Sequence, residues 1–307
     1  MSESAAPQKT SLFSILLLGI LAIIWGSSFI LMKKAMFSAD GSAIYSAEQV
    51  ASLRILLASL CLLPFAVPHL SLLRSKHAPF MLIAGLIGST IPAFLFTAAQ
   101  QQIASSLAGM LNSLTPLFTF ILGITVFGVP FRKNGLIGVI IGLAGAAGLV
   151  FYSSDGPVAL NSHALLIILA TCFYGISINT VKKYLNDLPS LTISALSLFM
   201  VGPIVAIYAY ACGSFDVLVT HEQGWEGMGC VFLLALFSTA IGLILFNLVI
   251  KRESALFSSS VTYFIPITAI LWGVLDGEEL EIVQFAFIAL ILFGVWLVNR
   301  VRFRPSS

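Results

Sequence analysis

Ile24-Trp25-Gly26-Ser27-Ser28-Phe29-Ile30-Leu31-Met32-Lys33-Lys34 ends a charge-free run that begins at Thr10. That run is long enough for one helix across a hydrocarbon core, which takes about 20 apolar residues. The same stretch returns later in the chain. Tyr174-Gly175-Ile176-Ser177-Ile178 and Lys182-Lys183 stand 149 positions beyond Trp25-Gly26-Ser27-Ser28-Phe29 and Lys33-Lys34, keeping the aromatic-Gly pair, the second Ser and both lysines. A membrane-crossing helix and an internal copy of it are thus read from one segment.

Working outward, the other charge-free intervals are Ile55 to Leu73, His77 to Phe131, Asn134 to Ser154, Gly156 to Val181, Leu188 to Phe215, Gly227 to Ile250, Ser254 to Leu275 and Ile282 to Asn299. The interval from His77 to Phe131 is too long for one helix, and Gln100-Gln101-Gln102-Ile103-Ala104-Ser105-Ser106 is a polar break inside it. Splitting there predicts ten transmembrane helices. Composition agrees: of 307 residues, 59% are hydrophobic and 9% charged, against about 25% charged in a soluble domain. The formal net charge is +2, and no basic run with interleaved aromatics suggests nucleic-acid binding, so no nucleic-acid partner is expected. The partner that composition does imply is the lipid bilayer.

Lys9 precedes an apolar stretch of full spanning length with no small-x-small cleavage pattern after it, so the first helix is expected to remain in the mature chain. Cys61, Cys172, Cys212 and Cys230 lack CxxC or Cys/His metal spacing. Cys212 and Cys230 flank one loop and are read as separate small hydrophobes in preference to a disulfide. With ten spans, one face collects Lys9, Arg74, Lys76, Arg132, Lys133, Lys182, Lys183, Lys251, Arg252, Arg300, Arg302 and Arg304, while the loops of the other hold Lys33 and Lys34. The positive-inside rule then predicts that both termini, residues 1–11 and 301–307, are cytoplasmic.

The repeat extends beyond the opening motif. A shift of 150 lays Ser89 on Thr239, Ile91 on Ile241, Phe96 on Phe246 and Pro116 on Pro266; a shift of 149 lays Gly128 on Gly277 and Gly145 on Gly294. Each copy, residues 12–153 and 162–300, holds five helices. An odd number inserts the second copy from the opposite side, so the halves are inverted and related by a pseudo-two-fold axis in the membrane plane. The predicted fold is an all-α integral membrane protein of ten helices in two inverted five-helix repeats.

Ile24-Trp25-Gly26-Ser27-Ser28-Phe29, Ser52-Leu53-Arg54-Ile55-Leu56-Leu57-Ala58, Leu114-Thr115-Pro116-Leu117, Phe264-Ile265-Pro266-Ile267 and Gly277-Glu278 together resemble the EamA-type transporters of the drug/metabolite transporter superfamily. The Gly-Glu step typical of each half is present only in the second, since Val129 follows Gly128. What the resemblance implies is a ten-helix basket around a central cavity in a bacterial inner membrane, exporting small metabolites such as amino acids or related compounds. The sugar-phosphate and nucleotide-sugar carriers of the superfamily are the second reading, and a non-transporting membrane assembly subunit is a third of a different class. The chain is expected to act as a monomer or homodimer.

Candidate substrate-binding residues are the aromatic and hydrogen-bonding side chains at mid-membrane depth: Trp25, Ser28, Asn112, Thr115, Tyr174, Asn179, Asn247 and Tyr263. Ser and Thr can instead bond their own helix backbone, and Asn179 and Asn247 read first as contacts between helices. Arg54 lies about seven residues into the second helix, where an unpaired guanidinium in hydrocarbon is costly. It either faces a cavity and attracts a carboxylate or reaches loop acids such as Glu48. Pro116 and Pro266 each remove a backbone hydrogen bond and read as kinks beside a water-filled path. The run Asp276 to Glu281 reads as a solvated loop, and Gly138, Gly142 and Gly145 as a packing stripe. Paired carboxylates, a metal cluster, a nucleophile with its base and a phosphate-binding glycine loop are all missing from the sequence, so catalysis, a cofactor and ATP hydrolysis are not expected. The expected site lies near the bilayer midplane, lined by helices 1, 3, 4, 6, 8 and 9.

Overall fold

A chain segment in hydrocarbon must satisfy its backbone polar groups internally, and this sequence does so with helices throughout. The computed structural model describes residues 12–130, 133–151 and 162–300; the two tails and the junction between the repeats lie outside them. Eight helices are long and apolar enough to cross a membrane: α1 (Leu12–Met36), α2 (Ala47–Arg74), α3 (Ala78–Gln100), α4 (Ser105–Thr125), α6 (Ser162–Tyr184), α7 (Ser190–Ala211), α8 (Gly224–Arg252) and α9 (Ala255–Leu275). Two further apolar helices, α5 (Lys133–Phe151) and α10 (Ile282–Arg300), have 19 residues each. No β-strand occurs among the described residues. The architecture is an all-α membrane protein of two five-helix repeats.

Local sequence sets the boundaries. Ser46 accepts from the Gln49 N–H and the Gln49 side chain returns to the Ser46 N–H, a capping box that starts α2. Pro64 interrupts the end of that helix, which tightens into a 3₁₀ turn over Val67–Arg74. The polar run after Gln100 separates α3 from α4. Gly128 and Gly277, 149 positions apart, take φ of 75° and 86° beyond the ends of α4 and α9, where a left-handed residue stops a helix.

The two halves grip each other reciprocally. A Cβ on Gly26 of α1 would lie 2.4 Å from Thr268 Cβ in α9, and one on Gly175 of α6 would lie 2.9 Å from the Thr119 N in α4. Thr119 and Thr268 are themselves 149 apart, so each half packs the glycine of its first helix on the same site of the other half's fourth. At the centre, Ser113 Oγ donates to the Thr262 carbonyl oxygen over 3.2 Å. Because these two residues are repeat mates, their contact marks the pseudo-two-fold axis. Outside this core, α5 and α10 pack on one another through glycine: a Cβ on Gly294 would meet the Gly142 N at 2.5 Å, and one on Gly145 the Phe287 O at 2.9 Å.

Two expectations change. The acidic loop is not simply solvated. Asp276 pairs with Lys33 at 2.7 Å and Lys34 at 3.6 Å, and Glu278, also 3.7 Å from Lys33, accepts from the Ser105 and Ser106 N–H groups at 2.8 and 3.0 Å. Ala104, at the N-cap of α4, has no side-chain acceptor, and a carboxylate from the other half fills its place. The second change concerns Pro116 and Pro266. Each stands in the first turn of a helix that restarts within its span, Thr115–Thr125 and Ile265–Leu275, where a missing N–H has no partner to lose.

Candidate functional site

The restarted helices leave a gap in the middle of the bundle. Around it lies a cavity of about 100 Å³, room for one small solute. Its wall draws on α1, α2, α3, α4, α6, α7, α8 and α9; α5 and α10 contribute nothing. The sequence pointed to six of these helices, reached α2 through Arg54 alone and missed α7.

Trp25, Ser28, Arg54, Asn112, Thr115, Tyr174 and Asn247 all stand in the wall. Asn179 and Tyr263 do not. Asn179 donates to the Thr119 and Gly175 carbonyls at 2.9 and 2.8 Å, which ties α6 to α4, while Tyr263 gives way to its neighbour Thr262. Within the wall, Ser28 donates to the Trp25 carbonyl at 2.6 Å and Thr115 to that of Asn112 at 2.9 Å, so both hydroxyl protons are used on their own helices. Asn247 donates to Ser194 Oγ at 2.9 Å and joins α8 to α7. The aromatic walls repeat with the halves. Trp25 meets Phe246 edge-on at 4.9 Å between centroids, and Tyr174 stacks near Phe96 at 6.0 Å.

Arg54 is partly buried, and what holds it is neutral. Its Nε donates to Thr239 Oγ1 at 2.8 Å, one terminal nitrogen to Ser238 Oγ at 3.1 Å and the other to the Met32 sulfur at 3.6 Å. Glu48, named from sequence as a possible partner, instead lies in the first turn of α2 with Ser46. Ser238 and Thr239 belong to a stretch of α8, Leu234–Ile241, wound as a π-helix; Leu86–Thr90 in α3 is wound the same way. Thr239 donates to the Leu234 carbonyl at 3.3 Å and Thr90 to that of Gly85 at 3.0 Å, each five residues back. The wider turn rotates Ser89, Ser238 and Thr239 into the wall, a use that π segments commonly serve at functional sites. The available signal was Ser89-Thr90 repeated as Ser238-Thr239 at a shift of 149.

The profile described as the EamA-like transporter family matches residues 12–151 and again 161–300. Among relatives, the uncharacterized inner membrane transporter YedA of Escherichia coli K12 is 27% identical over 289 residues, covering 91% of this chain and 88% of its own. The uncharacterized transporter YetK of Bacillus subtilis is 25% identical over 265 residues, covering 83% and 79%. An uncharacterized transporter of Archaeoglobus fulgidus is 23% identical, covering 94% and 99%. A solved crystal structure covers 97% of this chain and 100% of its own with a TM-score of 0.64 at 16% identity, a likeness of fold alone.

Proposed function

This chain belongs to the EamA-like transporter family, and on that premise we propose that it exports small amphipathic metabolites, in the size class of amino acids and related compounds, by alternating access around the central cavity. The observation that carries the reading is the cavity's place beside the Ser113 to Thr262 contact, where repeat mates meet. Exchanging the conformations of two inverted halves opens such a site to one face and then the other. Trp25, Ser28, Arg54, Asn112, Thr115, Tyr174 and Asn247 are the substrate contacts in this reading, with the solute lying between the Trp25/Phe246 and Tyr174/Phe96 pairs. Asn179 supports the Gly175 contact from behind.

Both ends of the path are tied. Lys33, Lys34, Asp276 and Glu278 join α1 to α9 and α4 at one face. At the other, Lys182 donates to the Ile250 and Lys251 carbonyls at 2.9 and 3.1 Å, and Lys183 to that of Phe127 at 2.9 Å. These are the closing contacts that alternate in the proposed cycle, the first outside and the second in the cytoplasm of a bacterial cell with an inner membrane. The membrane supplies the setting, and no ATP is consumed.

The test is flux in proteoliposomes of purified protein. A panel of labelled amino acids, nucleobases and organic acids is presented without ATP, and counterflow of at least one member is expected. Strict dependence of any flux on added ATP, or no flux across the panel by protein that retains its fold, would count against the proposal.

A further inference from the structure

Resting on that reading of the cavity, we infer that its substrate is an organic monoanion, a carboxylate on an apolar body, selected over zwitterions and cations. Among the described residues, Arg54 is the one Asp, Glu, Lys, Arg or His in the wall. Its three hydrogen-bond partners, Thr239, Ser238 and Met32, are uncharged, and among the described residues no carboxylate pairs with it. A guanidinium has five N–H donors in a planar fork that matches a carboxylate, and three are used here. The cavity is therefore built with a positive charge that the protein does not neutralise.

Two more features favour an anion. The hydroxyl oxygens of Ser89 and Ser197, both in the wall, have no hydrogen-bond partner in the protein. Hydroxyls that find no acceptor when buried are costly, and turning either side chain into the cavity would let a ligand oxygen accept from it. The rest of the wall is uncharged, with aromatic and aliphatic side chains beside Ser, Thr and Asn, which suits a body without further charge. An α-ammonium group, by contrast, finds neither Asp nor Glu in the wall and meets Arg54 as a like charge. Losing its hydration for neutral oxygens alone makes a zwitterion a poorer ligand than the acid without the amine.

Direction follows from charge. Each productive cycle that carries one monoanion and returns empty moves one negative charge, whatever charges the protein itself holds. A potential of 100 mV, negative inside, then supports an outward concentration ratio of roughly 50-fold for the anion without a proton relay or a nucleotide.

The experiment uses three probes that share a phenyl ring: 3-phenylpropionate, phenylalanine and 2-phenylethylamine, each titrated calorimetrically into the purified full chain at neutral pH. The expected result is that 3-phenylpropionate binds about tenfold or more tightly than the other two, the difference one charge-assisted contact makes. Arg54→Gln should lose that preference, Arg54→Lys should keep part of it, and an imposed potential, negative inside, should accelerate 3-phenylpropionate efflux from proteoliposomes. The wild-type ranking alone decides the matter if the variants fold poorly. Equal binding of phenylalanine and 3-phenylpropionate overturns the inference but leaves transport standing, and so does a ranking unchanged in folded Arg54→Gln. Binding of none of the three overturns the anion site, while the wider flux panel separately decides whether the protein transports.

Discussion

Glu278 joins three segments with one carboxylate: the loop after α9, the start of α4 and, through Lys33, the end of α1. Its side chain is 8% exposed, so these contacts are little screened by water. Val129, at the matching place in the first half, has no such task, because α9 opens with Ser254, whose own Oγ accepts from the Phe257 N–H at 3.1 Å. The missing Gly-Glu step is therefore explained by which helix needs a cap from outside. Removing that cap should cost about 1–3 kcal/mol. Glu278→Ala is expected to lower the melting temperature in detergent, whereas Glu279→Ala, at an exposed position, should leave it unchanged. An equal loss from both would show that the loop charge matters and not the cap.

At the scale of elements, the reciprocal glycines set how closely α1 meets α9 and α6 meets α4. An alanine in a helix gains up to about 1 kcal/mol over glycine in propensity, but at Gly26 the added carbon would sit 2.4 Å from Thr268 Cβ, and contact wins over propensity. Gly26→Ala should insert normally and transport slowly, and Thr268→Gly should restore part of the rate because the nearest obstacle is a side chain, with the backbone oxygen of Ile265 at 3.0 Å left in place. Gly175→Ala meets the backbone of Phe118 and Thr119 at 2.9 Å, so no side-chain change there should rescue it. Vesicle flux by the single and double variants checks both statements; rescue of Gly175→Ala by Thr119→Gly would contradict the second. The glycines were legible in the sequence from their place in the repeat. The π segments were not, because one extra residue per turn leaves no trace in a helix that is apolar on every side.

For the whole molecule, the unequal distribution of basic residues bears on orientation. The loops of the face opposite the termini hold two cations, Lys33 and Lys34, against twelve Lys and Arg on the other face, and this count predicts that the termini are cytoplasmic. A reporter fused after residue 307 should be active in the cytoplasm and silent in the periplasm; the reverse would refute the topology. Sequence by itself determined the number of helices and their grouping into two inverted copies, because hydrocarbon tolerates so few charges that their spacing counts the spans. It also named seven residues of the cavity wall, Trp25, Ser28, Arg54, Asn112, Thr115, Tyr174 and Asn247, since polar groups at that depth face protein or water. Only tertiary structure decided that Asn179 ties two helices together, that α7 enters the wall and that Glu278 caps a helix in the other half. It alone set Arg54 among Ser238, Thr239 and Met32 with no acid beside it. Those outcomes depend on the rotation of each helix about its axis and on contacts between residues from 60 to 185 positions apart, and a hydropathy pattern without an apolar face to orient it carries no information on either.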